Sequence, residues 1–274
     1  MSKRVLLTGA SGFVGKHLKS FLKEYTDLDI VCHAENLQRD LKYRKPFDYI
    51  VNLASDSSVE RSIKYPAITI DNNIAIMLNL LEFARKHPPK VFLHFSTVEV
   101  YNVTNPYAAS KAAQEEIANA YWKTYDVPVI IARSSNIVGE GQSRNKFVPK
   151  VISQIKQGKT VSLYEVEGAQ GSRIYNPVQN VCSAILWLLT DDKKLRATKD
   201  FPIHYDIDGG DELTNLEMAE LISVILDKKL KFKFIEPKDV RPAYATHLVT
   251  TGVKLTKTGW KPPIKLQESL SWIK

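Results

Sequence analysis

Two hydrophobic periods alternate along the first 160 residues. Short runs are apolar at nearly every position: Val5–Leu7, Asp29–Ala34, Phe47–Ala54, Val91–Ser96 and Val127–Arg133. Such runs predict strands buried on both faces. Between them the spacing changes to that of helices. Leu18, Phe21 and Leu22 share one face, and Ile74, Met77, Leu78, Leu81 and Phe83 place a core-facing helix across Asp71–His87. Asn105-Pro106 reads as an N-cap followed by the first helical residue, opening a helix to about Tyr125. Val148–Ile155 predicts one more. Strand and helix in alternation predict an α/β fold with a doubly wound parallel sheet. One interval is short. About a dozen residues join the second strand to the third, too few for a full crossover helix, so part of the usual first half is predicted to be cut down.

The last 110 or so residues mix their signals. Asn180–Leu189 is apolar at helical spacing, and Thr214-Asn215-Leu216-Glu217 is a capping box opening a helix to about Leu226. Without repeats or a low-complexity linker, the expected division is a sheet domain over 1–160, to which part of the C-terminal half returns. A smaller interleaved α/β lobe follows over 161–274.

Composition narrows the class. With 44% hydrophobic and 25% charged residues the chain has the make-up of a soluble globular protein. No apolar stretch nears the roughly 20 residues of a membrane span. Met1-Ser2-Lys3-Arg4 leads straight into the first strand, so the expected location is the cytoplasm, with no membrane partner. Cys32 and Cys182 lie in apolar runs, as buried inert thiols would, and neither has a second ligand at metal-site spacing. A metal is not expected. The net charge of +8 fits either a nucleic-acid binder or a protein of phosphorylated ligands. Since no basic run outgrows Lys228-Lys229-Leu230-Lys231, nucleic acid is the weaker reading.

Candidate chemistry starts at the first turn. Gly9, Gly12 and Gly15 join an apolar strand to a helix start, where free backbone N–H groups and the helix dipole favour an anion. Three glycines alone also fit a flexible turn that binds nothing. A second group lies about a hundred residues on. Tyr107 and Lys111, four apart, project from one helix face. A neighbouring ammonium lowers the tyrosine hydroxyl towards use as a base, and Thr97 ends the preceding strand. An acid closing the second strand would hold an adenosine ribose. Glu35 is late for that role, Asp40-Leu41 is placed to border an adenine, and His33 and Arg39 suit a 2′-phosphate. NAD and NADP therefore both remain open, NAD being the first choice.

Together these motifs resemble the short-chain dehydrogenase/reductase superfamily, in its extended branch acting on sugar nucleotides. Thr8-Gly9-Ala10-Ser11-Gly12-Phe13-Val14-Gly15 is similar to that branch's cofactor turn. Leu53-Ala54-Ser55-Asp56-Ser57-Ser58-Val59-Glu60-Arg61-Ser62-Ile63 resembles the matching segment of nucleotide-sugar 4,6-dehydratases. Tyr107-Ala108-Ala109-Ser110-Lys111 is similar to the catalytic helix, and Arg133-Ser134-Ser135-Asn136-Ile137-Val138-Gly139 to the strand and loop beside nicotinamide and sugar. The resemblance implies a Rossmann fold and a nucleotide-diphosphate sugar as substrate. It implies Tyr107 as base at the 4-hydroxyl, and Lys111 on the nicotinamide ribose with Thr97 holding the hydroxyl. Asn136 would contact substrate, Arg173 and Arg241 would face the diphosphate, and the helices Asn73–His87 and Tyr107–Tyr125 would form a homodimer. The helix residues are equally well explained as core.

Within the branch, dehydratases carry Thr-Asp-Glu at this strand end, the Glu taking the C5 proton and the Asp protonating the departing C6 hydroxyl. Some relatives carry Thr-Ser-Glu, and C4-epimerases a small apolar residue with no acid after it. Thr97-Val98-Glu99 keeps the base and lacks the acid. The readings implied are an epimerase/dehydratase with Glu99 as C5 base, or a reductase of a 4-keto-deoxysugar nucleotide. A non-catalytic cofactor- or RNA-binding regulator is the contrasting reading, and Glu99 pairing with a lysine is the plain structural one. The branch usually has a longer stretch than the ten-residue step from Thr97 to Tyr107, and a longer one than Glu35–Pro46.

Overall fold

In the computed structural model the described residues are 2–33, 37, 41, 43, 45–190, 203–237, 244–248 and 250–274. The chain begins β1 (Arg4–Thr8), α1 (Phe13–Tyr25), β2 (Asp29–Cys32), β3 (Tyr49–Asn52), α2 (Val59–Lys64) and α3 (Pro66–Lys86). It continues through β4 (Val91–Thr97), a 3₁₀ turn (Val98–Tyr101), α4 (Pro106–Tyr125), β5 (Val129–Ser134), β6 (Asn136–Val138) and α5 (Phe147–Lys156). Then come β7 (Val161–Val166), β8 (Ala169–Gln170), β9 (Ser172–Pro177), α6 (Val178–Thr190), β10 (Ile203–Ile207) and β11 (Asp211–Thr214). Last are α7 (Asn215–Ile225), β12 (Phe232–Ile235), β13 (Val253–Lys254) and α8 (Leu266–Ser269).

Seven parallel strands form the central sheet in the order β13-β10-β5-β4-β3-β1-β2. Its apolar runs divide by parity, as period-two side chains must. Val5, Leu7, Tyr49, Val51, Val91 and Leu93 enter one core with α1 and α6. Leu6, Ile50, Phe92, Val129 and Ile131 enter the other with α3 and α4. The doubly wound sheet is thus the architecture. Among the described residues no helix or strand lies between β2 and β3. That leaves β2 at the sheet edge and Cys32 only half-buried, whereas Cys182 is buried. α3 opens five residues before Asp71, because Pro66 at its first turn starts the helix.

Two small sheets, β11-β9-β6 and β12-β7-β8, pack with α5 and α7 around a third core. Asn176 ties them to the main sheet: its Nδ2 donates to Ser135 Oγ and Ile207 O, each at 3.0 Å. No helix of the described residues is long and apolar enough to cross a membrane.

Candidate active site

The C-terminal ends of β1, β3, β4 and β5 open into one cleft of about 970 Å³ between the main sheet and the small ones. Parallel sheets leave ligand space at that edge. At its floor, α1 starts on Gly12 with no side-chain cap and no acid in its first turn. Its first N–H groups therefore stay available to a ligand. The turn is tight. Gly9 has φ +68°, and a Cβ on Gly15 would stand 2.1 Å from Gly9 O. Ser11, Phe13, Val14, Leu53, Ala54 and Ser55 complete this wall. A bare helix end, backed by glycines that admit no side chain, fits a dinucleotide pyrophosphate.

The same cleft is lined by Thr97, Glu99, Tyr107 and Lys111. Asn105 caps α4 through Oδ1, which accepts from Ala108 N at 2.9 Å, and Pro106 begins the helix. That cap fixes where Tyr107 and Lys111 leave the first turn. Asn105 Nδ2 donates to Glu99 Oε2 at 3.1 Å, and among the described residues no lysine pairs with that carboxylate. Thr97 is buried, and its Oγ1 accepts from Glu99 N. Burial, and then the Glu99 charge, hold the Tyr107 hydroxyl above the ordinary tyrosine range, while a hydrogen bond with Thr97 pulls the other way.

Lys111 directs its Nζ inward, 2.8 Å from Phe95 O and 3.2 Å from His94 Nε2, and not onto the Tyr107 hydroxyl. Burial brings Lys111 down to about 7, against the upward pull of Glu115. Glu115 is itself engaged by Arg133, which also donates to Tyr101 OH at 2.7 Å, and Tyr101 donates to Asp206. That buried network backs the site without entering it.

Asn136 and Arg173 line the cleft's far wall. Arg173 is occupied: Nη1 donates to Ser172 O and Thr246 O, Nη2 to Ala245 O at 2.7 Å, and the guanidinium stacks on Tyr244. Leu41 packs in the α3/α4 core and not on the cleft. Glu35, Arg39, Asp40 and Arg241 lie outside the described residues. The sequence pattern gives no sign of Tyr164, Asn215 and Tyr244, which line the cleft, or of His94 behind it. Val98 is 2% exposed and is absent from the lining. Glu60 and Glu99 are the carboxylates of the cleft among the described residues. No metal-binding group of three His, Cys, Asp or Glu occurs among those residues.

The family model described as "NAD dependent epimerase/dehydratase family" matches residues 5–203. The chain belongs to this family. GDP-6-deoxy-D-mannose reductase of Pseudomonas aeruginosa is 30% identical, over 98% of this chain and 95% of its own length. dTDP-glucose 4,6-dehydratase of Haemophilus influenzae is 27% identical over 97% and 95%. Among solved family structures, RMD from Pseudomonas aeruginosa complexed with NADPH superposes with a TM-score of 0.82 at 27% identity, over 99% and 97%. Dehydratase and reductase relatives thus match along nearly the same length, and the branch of the family is decided by the site.

Proposed function

We propose that the protein is an NAD(P)-dependent enzyme of nucleotide-diphosphate sugars that works by transient oxidation at sugar C4. One observation carries this reading: the glycine-backed end of α1 and the group Thr97, Glu99, Tyr107 and Lys111 line one and the same cleft. Ser11, Gly12, Phe13, Val14 and Gly15 would hold the pyrophosphate, Leu53, Ala54 and Ser55 would flank the dinucleotide, and Lys111 would hold the nicotinamide ribose. When bound, the cofactor supplies the hydride acceptor and, while oxidised, a positive charge. Tyr107 takes the 4-hydroxyl proton, Thr97 orients that hydroxyl, and Glu99 removes the proton at C5 once C4 is a ketone. Asn136 contacts the sugar. In this division of labour the main sheet, built mostly from 1–160, serves the cofactor and 161–274 serves the sugar nucleotide.

A second reading within the family is a reductase of a 4-keto-deoxysugar nucleotide, in which Tyr107 instead donates its proton to the C4 oxygen. Val98 favours it. The residue after Thr97 is apolar and buried away from the cleft, so elimination of a C6 hydroxyl has no acid there. A homodimer through α3 and α4 accords with Ile68 and Leu78, which α3 leaves exposed, and a cytoplasmic location accords with the free thiols of Cys32 and Cys182. Light scattering of the purified protein tests the dimer.

Incubation with a panel of UDP-, dTDP-, GDP- and CDP-sugars plus NAD or NADP, read by mass spectrometry and chromatography, separates the readings. Loss of water marks a dehydratase, and an isomer of unchanged mass an epimerase. A silent panel followed by NADH or NADPH oxidation with a 4-keto-6-deoxy sugar nucleotide marks the reductase. Silence in both arms defeats the proposal.

A further inference from the structure

Behind Lys111 runs a line of fully buried polar side chains that the chemistry above does not use. Thr8, Asn52 and His94 are cross-strand neighbours on β1, β3 and β4, and all three have no solvent exposure. Thr8 Oγ1 donates to Asn52 Oδ1 at 2.8 Å, Asn52 Nδ2 meets His94 Nδ1 at 3.2 Å, and His94 Nε2 meets Lys111 Nζ at 3.2 Å. Thr8 immediately precedes Gly9, so the line joins the glycine turn to the ammonium across three strands.

The direction of each bond follows from valence. Asn52 Oδ1 accepts from Thr8 Oγ1 and from Ala54 N at 3.2 Å, while Nδ2 also points at Met77 Sδ, 3.8 Å away. The amide therefore presents N–H to His94, and His94 Nδ1 must accept. A neutral imidazole then carries its proton on Nε2, the atom that faces Lys111. An amine can accept that proton with its lone pair and still donate to Phe95 O. An ammonium cannot accept it; two donors would oppose each other at a ring that has no solvent exposure. For Lys111 to carry charge, His94 must move its proton to Nδ1 and Asn52 must turn over, giving up its bonds from Ala54 and to Met77.

We propose that Thr8–Asn52–His94 is a positioning line whose hydrogen-bond order sets whether Lys111 stands neutral or charged beside Tyr107. It rests on the reading of Lys111 as the cofactor-side partner of Tyr107. Other groups face Lys111 or its neighbours: Tyr107 and Glu115 on α4, Glu99 from the 3₁₀ turn facing Tyr107, and Arg133 on β5 with His204 on β10 facing Glu115. Glu115 opposes the line, since its charge favours the ammonium. Burial and the Lys111 charge hold His94 far below the ordinary histidine range, which keeps the ring neutral as the line requires.

Nitrogen NMR of the histidine rings decides between the two orders in the full-length protein without cofactor, so no catalytic assignment enters. The expected result is His94 protonated on Nε2 at high pH and on Nδ1 at low pH, the change coinciding with titration of Lys111 near about 7. The Lys111 signal is assigned from a Lys111→Met spectrum. Asn52→Leu removes the donor to Nδ1, so an ammonium is no longer opposed through the ring, and both Lys111 and the tautomer should then change at higher pH than in the wild type. A ring protonated on Nδ1 at every pH, or one that ignores the Lys111 titration, overturns the proposal. Should Asn52→Leu not fold, the wild-type pH series is sufficient to tell these outcomes apart. On whichever sugar nucleotide is turned over, His94→Gln should move the pH profile of kcat by about tenfold in proton concentration and leave KM within about twofold. Turnover surviving in Tyr107→Phe would sink the functional reading and leave the tautomer result standing.

Discussion

At the scale of single residues, Tyr107 and Lys111 are opposite cases of burial. Tyr107 is held protonated by burial and by Glu99, so it waits for a positive charge before acting as a base. Tyr107→Phe should lower kcat by about 10²–10⁴-fold with dinucleotide binding retained, which fluorescence titration with NADH or NADPH checks. Lys111 is held towards neutrality, and that costs stability. The unfolded chain keeps the Lys111 proton up to about pH 10, whereas the folded chain gives it up at about 7. Between those values the unfolded state binds more protons, so stability rises with pH through this window, and the full penalty applies below 7. Lys111→Met should therefore raise Tm at pH 6 by a few degrees, roughly 2–4 °C per kcal/mol recovered. The gain should fade towards pH 10 while activity is lost. A mutant advantage that is flat with pH would refute the burial account. Thr97, Tyr107 and Lys111 were legible in the sequence because a four-residue spacing on one helix and a strand end are local facts. His94 and Asn52 were not, since each looks like a stray polar residue in an apolar strand until β1, β3 and β4 are set in register.

Among the elements, α4 shows why some were legible. Asn105 and Pro106 state its start, and Asp126, left-handed at φ 54°, closes it. The Thr214–Glu217 capping box does the same for α7, with Glu217 Oε2 accepting from Thr214 N at 2.7 Å. The small strands had no such signal. β6 is three residues long and pairs with β9, and β12 pairs with β7, in each case with a partner tens of residues away. α2 was missed for its six-residue length. Asn105 does two jobs, and they can be separated. Asn105→Ala removes both the cap and the Glu99 contact, and should cost about 1 kcal/mol in thermal unfolding. Asn105→Asp keeps an acceptor at the helix start but sets a carboxylate against Glu99. It should preserve most of the stability while like-charge repulsion replaces the Asn105–Glu99 bond, seen as a lower kcat. Equal Tm losses in both variants would show that the cap is not what holds α4.

Across the whole molecule, the cleft is closed on one side by the sheet that the sequence announced and on the other by a segment it did not. Residues 244–248 are held against β9 by Ser172 N, which donates to Thr246 O at 2.7 Å, and by the two bonds Arg173 donates to Thr246 O and Ala245 O. Resemblance places Arg173 on a nucleotide diphosphate, a task its fork geometry suits. In place, the guanidinium works first by shape, since its planar fork reaches carbonyls of Ser172, Ala245 and Thr246 while one face covers Tyr244. These two roles predict different mutants. If shape dominates, Arg173→Lys fails nearly as badly as Arg173→Ala, because one ammonium cannot serve three separated carbonyls. Both should then speed amide hydrogen exchange across 244–248 by roughly tenfold, with no ligand present, and raise KM for the sugar nucleotide more than they lower kcat. If charge towards a phosphate dominates, Arg173→Lys keeps most of the binding and exchange across 244–248 stays slow in both. Exchange measured on the free protein separates these cases before any substrate is known, because the strap is built from contacts within the chain.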